Sequence, residues 1–330
     1  MKTNFFKTFL IAEIGINHEG KLNKCLSMIK SAKLAGADAV KLQIVSPNKS
    51  YQKGTESYRI FSKINFSDQE LQKIFNYAKK IKIKIFATCD NEENIQRIEK
   101  FKPFAFKISS GLANNIYLIK FLKKFKRKII ISLGLLKKKD IEIILSTLGD
   151  YKDVVFMHSI SRYPTKNNDL NLNSIDFLKK YLKKFKIGYS DHTKSDDAIL
   201  TAVSKGCKYI EKHFTFNEKR KGFDHVVSYG EKKFKKLKTK ILKIEESLGK
   251  NIYLDKNFQN KERSKYLRYA VLKKNIKKNT LLNLNDIGFM RVKNSKNGIE
   301  PINLNKFINK KVKVNLKENN ILKINDFKKR

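Results

Sequence analysis

Apolar, β-rich runs recur along the chain at Phe9–Ile16, Ala39–Val45, Lys84–Cys89, Ala105–Ser109, Ile129–Leu133, Val154–Ile160, Lys186–Ser190 and Tyr209–Thr215. Each is followed by a segment whose apolar residues return at helical spacing, so the pattern predicts eight βα units. The helices carry their own start signals: Asp68 stands as a cap before Glu70–Ala78, and Ser195 opens Asp196–Val203 with acids in the first turn. Eight alternations over about 250 residues is the count and length of an α/β fold of the (β/α)8 TIM-barrel type. A doubly wound open sheet competes, but no Gly-rich dinucleotide fingerprint follows the first strand.

The pattern lapses between Gly249 and Glu262 into polar residues, which read as a linker at 251–262 between a barrel at 1–250 and a second domain at 263–330. In that second domain Leu272–Ile287 resembles Val312–Phe327, and short β segments and polar turns dominate both copies. A compact β-rich module of two related halves is expected, suited to a binding, lid or dimer role.

A barrel places its chemistry at the carboxyl ends of its strands. Those ends carry Glu13 and His18, Lys41 and Gln43, Thr88 and Asp90, Lys107 and Ser110, Ser132, His158 and Tyr163, Ser190 and His192, and Glu211 and His213. All five histidines, His225 included, fall at strand ends or in the loops after them. The period of two puts Lys41 with Gln43, Ser190 with His192, and Glu211 with His213 on shared faces. If the last two runs are neighbouring parallel strands, His192 and His213 sit about one strand spacing apart, within reach of one metal ion or substrate. Lys41, Lys107 and a third candidate, Lys212, suit a phosphate or carboxylate.

Charge changes the picture less than its size suggests. Lys plus Arg number 73 against 31 Asp plus Glu, a formal charge of +42, which raises nucleic acid or an anionic membrane as partners. The basic runs are spread over helix ends and faces, and the abundance of Lys, Asn, Ile, Phe and Tyr is what an AT-rich genome produces, so neither partner is expected. Cys25, Cys89 and Cys207 match no zinc or disulfide spacing and suit a reducing cytoplasm. The N-terminal apolar stretch is interrupted by Lys7 and runs into Glu13, too short for a membrane span.

Ile11–Gly20, Ala35–Gln43, Arg162–Thr165, Gly188–Thr193, Glu211–Thr215 and Gly222–His225 together resemble the sialic acid (nonulosonic acid) synthases of the N-acetylneuraminate, legionaminate and pseudaminate type. The resemblance covers the whole chain. It implies a TIM barrel joined to a small antifreeze-like (SAF, β-clip) domain, in a cytoplasmic homodimer whose small domain reaches the partner's barrel. It also implies condensation of phosphoenolpyruvate with an open-chain N-acetylmannosamine-like hexosamine, giving a nine-carbon 2-keto acid and phosphate. A divalent metal, Mn2+ or Mg2+, would be held by His192 and His213. Lys41, Thr88, Lys107, Ser110, Ser132 and Ser190 would hold phosphoenolpyruvate, and Gln43, Tyr163 and Asp224 the sugar. Glu13 would serve as the base, with metal-bound water as its rival. Leu112 stands where the family usually has Glu, Leu133 where it has Thr, and Asn294 where it has an Arg that Arg291 would have to replace. Another barrel aldolase or phosphosugar synthase, and a binding homologue that has lost catalysis, are the competing readings.

Overall fold

The computed structural model describes residues 7–249 and 256–327. Eight parallel strands close into a barrel in chain order: β1 (Phe9–Gly15), β2 (Ala39–Ile44), β3 (Lys84–Cys89), β4 (Ala105–Ile108), β5 (Lys128–Ser132), β6 (Val154–Ser159), β7 (Lys186–Asp191) and β8 (Tyr209–His213). The expected runs match these strands to within two residues at each end, because each apolar run is the length of strand buried on both faces. β8 closes on β1 with Glu13 opposite His213.

Alternation divides each strand between two cores. Outward side chains such as Leu10, Ala12, Val40, Leu42, Ile129 and Ile131 join the helices in one large cluster. Inward ones, among them Ile11, Ala39, Phe86, Ile130, Met157 and Tyr209, form a separate cluster inside the barrel. Each fully buried residue of this size contributes about 1.5–3 kcal/mol. Two residues further along the same inward rows the side chains turn polar, at Glu13, Lys41, Thr88, Ser132, Ser159 and Glu211. The apolar layer is therefore the floor on which the polar layer stands.

Local signals differ from expectation at two helix starts. Ser67, one residue before Asp68, caps Asp68–Lys80 through a reciprocal capping box with Glu70. Asp196 occupies the cap position of Asp197–Ser204, and Ser195 instead donates to Asp197 Oδ2 at 3.0 Å.

Two compact units divide the chain, Met1–Gly249 and Lys250–Arg330. Of the expected linker, residues 251–255 lie outside the described residues. From Lys256 the chain is helical to Tyr266. The second unit contains β9 (Tyr269–Leu272) antiparallel to β10 (Ile287–Met290). Its internal repeat is a structural one: Leu272 and Val312, Ile276 and Leu316, Leu282 and Leu322, and Ile287 and Phe327 are all buried in one small core. Ile276 and Leu316 exchange both backbone hydrogen bonds at 2.8 Å. Asn275 Oδ1 accepts from Glu318 N at 2.8 Å, and Asn315 Oδ1 from Lys278 N at 2.7 Å, so the turns also answer each other.

Candidate active site

The polar ends of the strands open into one cavity of about 550 Å3. Its wall includes Glu13, Lys41, Gln43, Thr88, Lys107, Ser110, Ser132, Tyr163, Ser190, His192 and His213. Of the expected site residues, Asp224 alone is absent from that wall. It stands just behind, in the loop after β8, with Oδ2 3.3 Å from His213 Nδ1 and its own N–H donating to Asn17 Oδ1 at 3.2 Å.

Gly15 makes the entrance of β1 possible. Its φ is +37°, the strand register shifts there against β2, and a Cβ on it would lie 2.7 Å from Glu13 Oε1 and 3.0 Å from Gln43 Nε2. Only glycine lets both side chains enter the mouth.

Glu211 is the hub of the floor. Its Oε1 accepts from Ser190 Oγ at 2.9 Å, Lys41 Nζ at 3.0 Å and Lys107 Nζ at 3.2 Å. Lys41 also pairs with Glu13. Burial alone would raise the Glu211 carboxyl, but Lys107 and Lys41 outweigh it and hold the group well below the usual carboxylate range. Burial draws Lys41 down to about 7, with the like charge of Lys107 adding to the effect. Glu211 was legible as a strand-end residue sharing a face with His213, yet nothing in its spacing assigned it a role. Its importance follows from closure, which brings Lys41 and Lys107 from β2 and β4 across to β8.

Several buried polar atoms here have no hydrogen-bond or ion-pair partner to complete them: Glu13 Oε1, Thr88 Oγ1, Ser132 Oγ and Glu211 Oε2, while Glu13 Oε2 is held only by its ion pair with Lys41. Natural cores leave few such atoms, and a concentration of them in one cavity marks groups waiting for a ligand.

The histidines separate into two kinds. His192 and His213 line the cavity with ring centroids 5.5 Å apart, and Tyr163 lies over His192 with centroids 4.0 Å apart. His192 Nδ1 meets the Ile160 carbonyl at 2.7 Å, which requires the proton on Nδ1 and leaves the Nε2 lone pair free. Burial lowers His192 to about 4 and, with His192 beside it, lowers His213 well below the ordinary value. Both rings are therefore neutral at pH 7. The other three do not face the cavity. His158 contacts Leu170 O at 2.8 Å, His225 meets Thr215 Oγ1 at 2.7 Å, and His18 accepts from Gly20 N at 3.0 Å. Position at a strand end was thus insufficient; alternation and loop direction decide which rings enter. Lys212 is likewise corrected as an anion-binding candidate, because the residue between two inward ones on β8 points outward. It is fully buried there against Asp191.

A model of the NeuB family matches residues 28–253. The chain belongs to the NeuB family. An uncharacterized protein of Methanocaldococcus jannaschii is 32% identical over 96% of this chain and 93% of its own length. The N,N'-diacetyllegionaminic acid synthase of Campylobacter jejuni is 30% identical over 96% of this chain and 99% of its own length. Among solved structures, the N-acetylneuraminic acid (sialic acid) synthetase of Leptospira borgpetersenii, in complex with citrate, is 31% identical with a TM-score of 0.74, covering 78% of this chain and 90% of that one.

Within this NeuB-family barrel the departure at Leu112 falls on the cavity wall, whose apolar lining also includes Val45, Phe61 and Leu135. In the second unit Asn294 Oδ1 is turned onto its own loop, accepting from Lys296 N at 3.0 Å. Arg291 is exposed and its guanidinium lies 5.5 Å from the Tyr266 ring centroid. Among the described residues no helix is long and apolar enough to cross a membrane.

Proposed function

We propose that this chain is a phosphoenolpyruvate-dependent nonulosonic acid synthase, condensing phosphoenolpyruvate with an open-chain N-acetylhexosamine to give a nine-carbon 2-keto acid and phosphate. The observation that carries the reading is the juxtaposition, in one cavity, of two neutral imidazoles, two buried lysines and a set of unpartnered hydroxyl and carboxylate oxygens. Lys41 and Lys107, with Thr88, Ser110, Ser132 and Ser190, hold the carboxylate and phosphate of phosphoenolpyruvate. Gln43 and Tyr163 on the cavity wall, with Asp224 acting from behind it through His213, orient the hexosamine so that its aldehyde carbon faces the methylene carbon of phosphoenolpyruvate.

The donor set fits a divalent cation. His192 and His213 are uncharged, His192 presents a free Nε2, and their rings are close enough for both to hold one ion. Among the described residues no group of three His, Cys, Asp or Glu is gathered for a metal, so water and substrate would complete the shell. Charge balance favours the same conclusion. The two ammonium groups of Lys41 and Lys107 are offset by Glu13 and Glu211, and admitting a multiply charged anion calls for further positive charge. When bound, Mn2+ or Mg2+ supplies Lewis-acid polarisation of the aldehyde oxygen.

The chain's own groups account for the remainder. Formation of the carbon–carbon bond opens the aldehyde C=O π bond, leaving an alkoxide that takes a proton from solvent, and leaves positive charge at C2 of the former enol, where water adds. Glu13, fully buried, with Oε2 paired to Lys41 and Oε1 without a hydrogen-bond partner, takes the proton from that water on Oε1. Lys107 and the hydroxyls stabilise the charge that develops as phosphate leaves. Leu112, apolar on the cavity wall, suits a deoxygenated or further acetamidated hexosamine.

The assay that tests the proposal is phosphate release from phosphoenolpyruvate with Mn2+, comparing N-acetylmannosamine with 2,4-diacetamido-6-deoxy hexosamines, with and without chelator. Chelator-sensitive release with one sugar is expected and names the acceptor; release that needs no hexosamine, or none with any, overturns the reading. The second unit acts as an antifreeze-like domain serving a partner copy, with Arg291 as the cation that reaches the sugar. Arg291→Ala then raises the hexosamine KM severalfold and leaves that for phosphoenolpyruvate unchanged, whereas equal changes in both would rule out that role.

A further inference from the structure

At the carboxyl ends of β7 and β8 an outward residue precedes an inward histidine: β7 ends on Asp191 with His192 just after it, and β8 ends on His213, with Lys212 just before it. The β7–β8 ladder stops at the pair Asp191 and Lys212. His192 therefore lies one residue beyond the regular sheet, where backbone pairing to β8 no longer fixes it.

An ionic knot takes over at that point. Lys212 Nζ lies 2.6 Å from Asp191 Oδ2 and donates to the Thr193 carbonyl at 2.6 Å, with the Tyr229 ring centroid 4.3 Å away. Asp191 is saturated in turn: Oδ1 accepts from Tyr189 Oη at 2.9 Å, and Oδ2 accepts from Thr193 N at 3.2 Å and Thr193 Oγ1 at 3.1 Å. The residues on both sides of His192 are thus tied to one ammonium group, carried by the residue before His213. Tyr229, packed under that ammonium, donates its N–H to the His213 carbonyl at 2.8 Å. Asp191 and Lys212 are both 0% exposed, and neither lines the cavity. A buried ion pair is a poor device for stability alone, since apolar residues of the same size commonly do as well; where such a pair has a role, it is in fixing register.

We propose that Lys212 and Asp191 are positioning residues that set the separation of the His192 and His213 imidazoles and, through it, the affinity of the site for a divalent cation. Only the last step rests on the metal reading given under Proposed function. The separation itself is a property of the protein alone.

The test is the full-length Asp191→Asn/Lys212→Met double variant, which removes both charges while keeping side-chain size. Its melting temperature and circular dichroism report the fold. Imidazole NMR signals of His192 and His213 are then compared with the wild type without metal, with His18 as an internal control, and Mn2+ binding is titrated by EPR without substrates. A folded variant is expected to show displaced His192 and His213 signals, an unmoved His18 signal, and Mn2+ affinity lower by about 10- to 100-fold, as when groups supporting metal ligands are lost. Unmoved signals with unchanged Mn2+ affinity would overturn the inference. Displaced signals in a protein whose wild type binds no Mn2+ would uphold the positioning and sink the metal reading alone. Should the double variant fail to fold, Tyr189→Phe frees one oxygen of Asp191 without burying an unpaired charge. A severalfold weaker Mn2+ affinity is expected from it, and an unchanged one counts against the proposal.

Discussion

Strands β7 and β8 carry two lysine–carboxylate clusters on opposite faces, built from similar groups and different in every consequence. On the inner face Glu211 gathers Lys41, Lys107 and Ser190, and the cluster is left incomplete, with Glu211 Oε2 and nearby hydroxyls unpartnered beside an open cavity. On the outer face Lys212 and Asp191 have partners in Thr193, Tyr189 and Tyr229. Incompleteness allows exchange of a protein partner for a substrate anion, whereas saturation in a buried place holds geometry. A buried lysine is therefore read by which partners it lacks.

The largest effect expected from breaking this contrast is at the inner-face histidines. His192→Ala or His213→Ala should lower phosphate release on the order of 10³-fold, the several kcal/mol that Lewis-acid polarisation contributes, with the fold preserved by circular dichroism. Activity within a few fold of wild type in either variant would remove these rings from the mechanism.

Next come the two lysines themselves. Lys107→Met should raise the KM for phosphoenolpyruvate by about 10- to 100-fold, since hydrogen bonds to charged groups contribute about 1.5–3 kcal/mol. Lys212→Met alone, assayed at saturating Mn2+, should leave the KM for phosphoenolpyruvate near wild type and act on stability, losing about 3–5 kcal/mol because Asp191 is left buried and unpaired. Denaturant unfolding and steady-state kinetics on both variants check this crossing pattern. If the two lysines exchanged effects, the faces would have been misassigned.

A smaller effect concerns Lys41. Burial and Lys107 hold it near 7, so it is cationic below that pH and increasingly neutral above it. Anion binding is then strongest on the acidic side, and the KM for phosphoenolpyruvate should climb as pH rises from about 6 to about 8. The profile is corrected for ionisation of the phosphate ester. A flat profile would mean that Glu13 and Glu211 keep Lys41 charged throughout.

Asn275→Ala and Asn315→Ala, in the second unit, provide the smallest change and a baseline for the others. Each removes one side-chain acceptor from an exposed turn and should cost about 1 kcal/mol in thermal or denaturant unfolding. Neither should alter turnover at saturating substrate; a loss there would give those turns a part in catalysis.

The sequence by itself determined the strands, their order and the polar character of their carboxyl ends, because a strand buried on both faces must be an unbroken apolar run of limited length. It also determined the repeat of the second unit, where residues such as Ile276 and Leu316 occupy matching buried positions. Alternation within a strand was legible too, and placed Lys41 with Gln43 and Glu211 with His213. What it left open was which residues meet across the barrel. Glu211 joins β8 to lysines of β2 and β4, and His158, His225 and Lys212 turn away from the cavity. Such choices depend on closure of the sheet and on the direction of loops after the last ladder pair. Both are set by packing between residues distant in the chain, and a one-dimensional pattern does not carry that information.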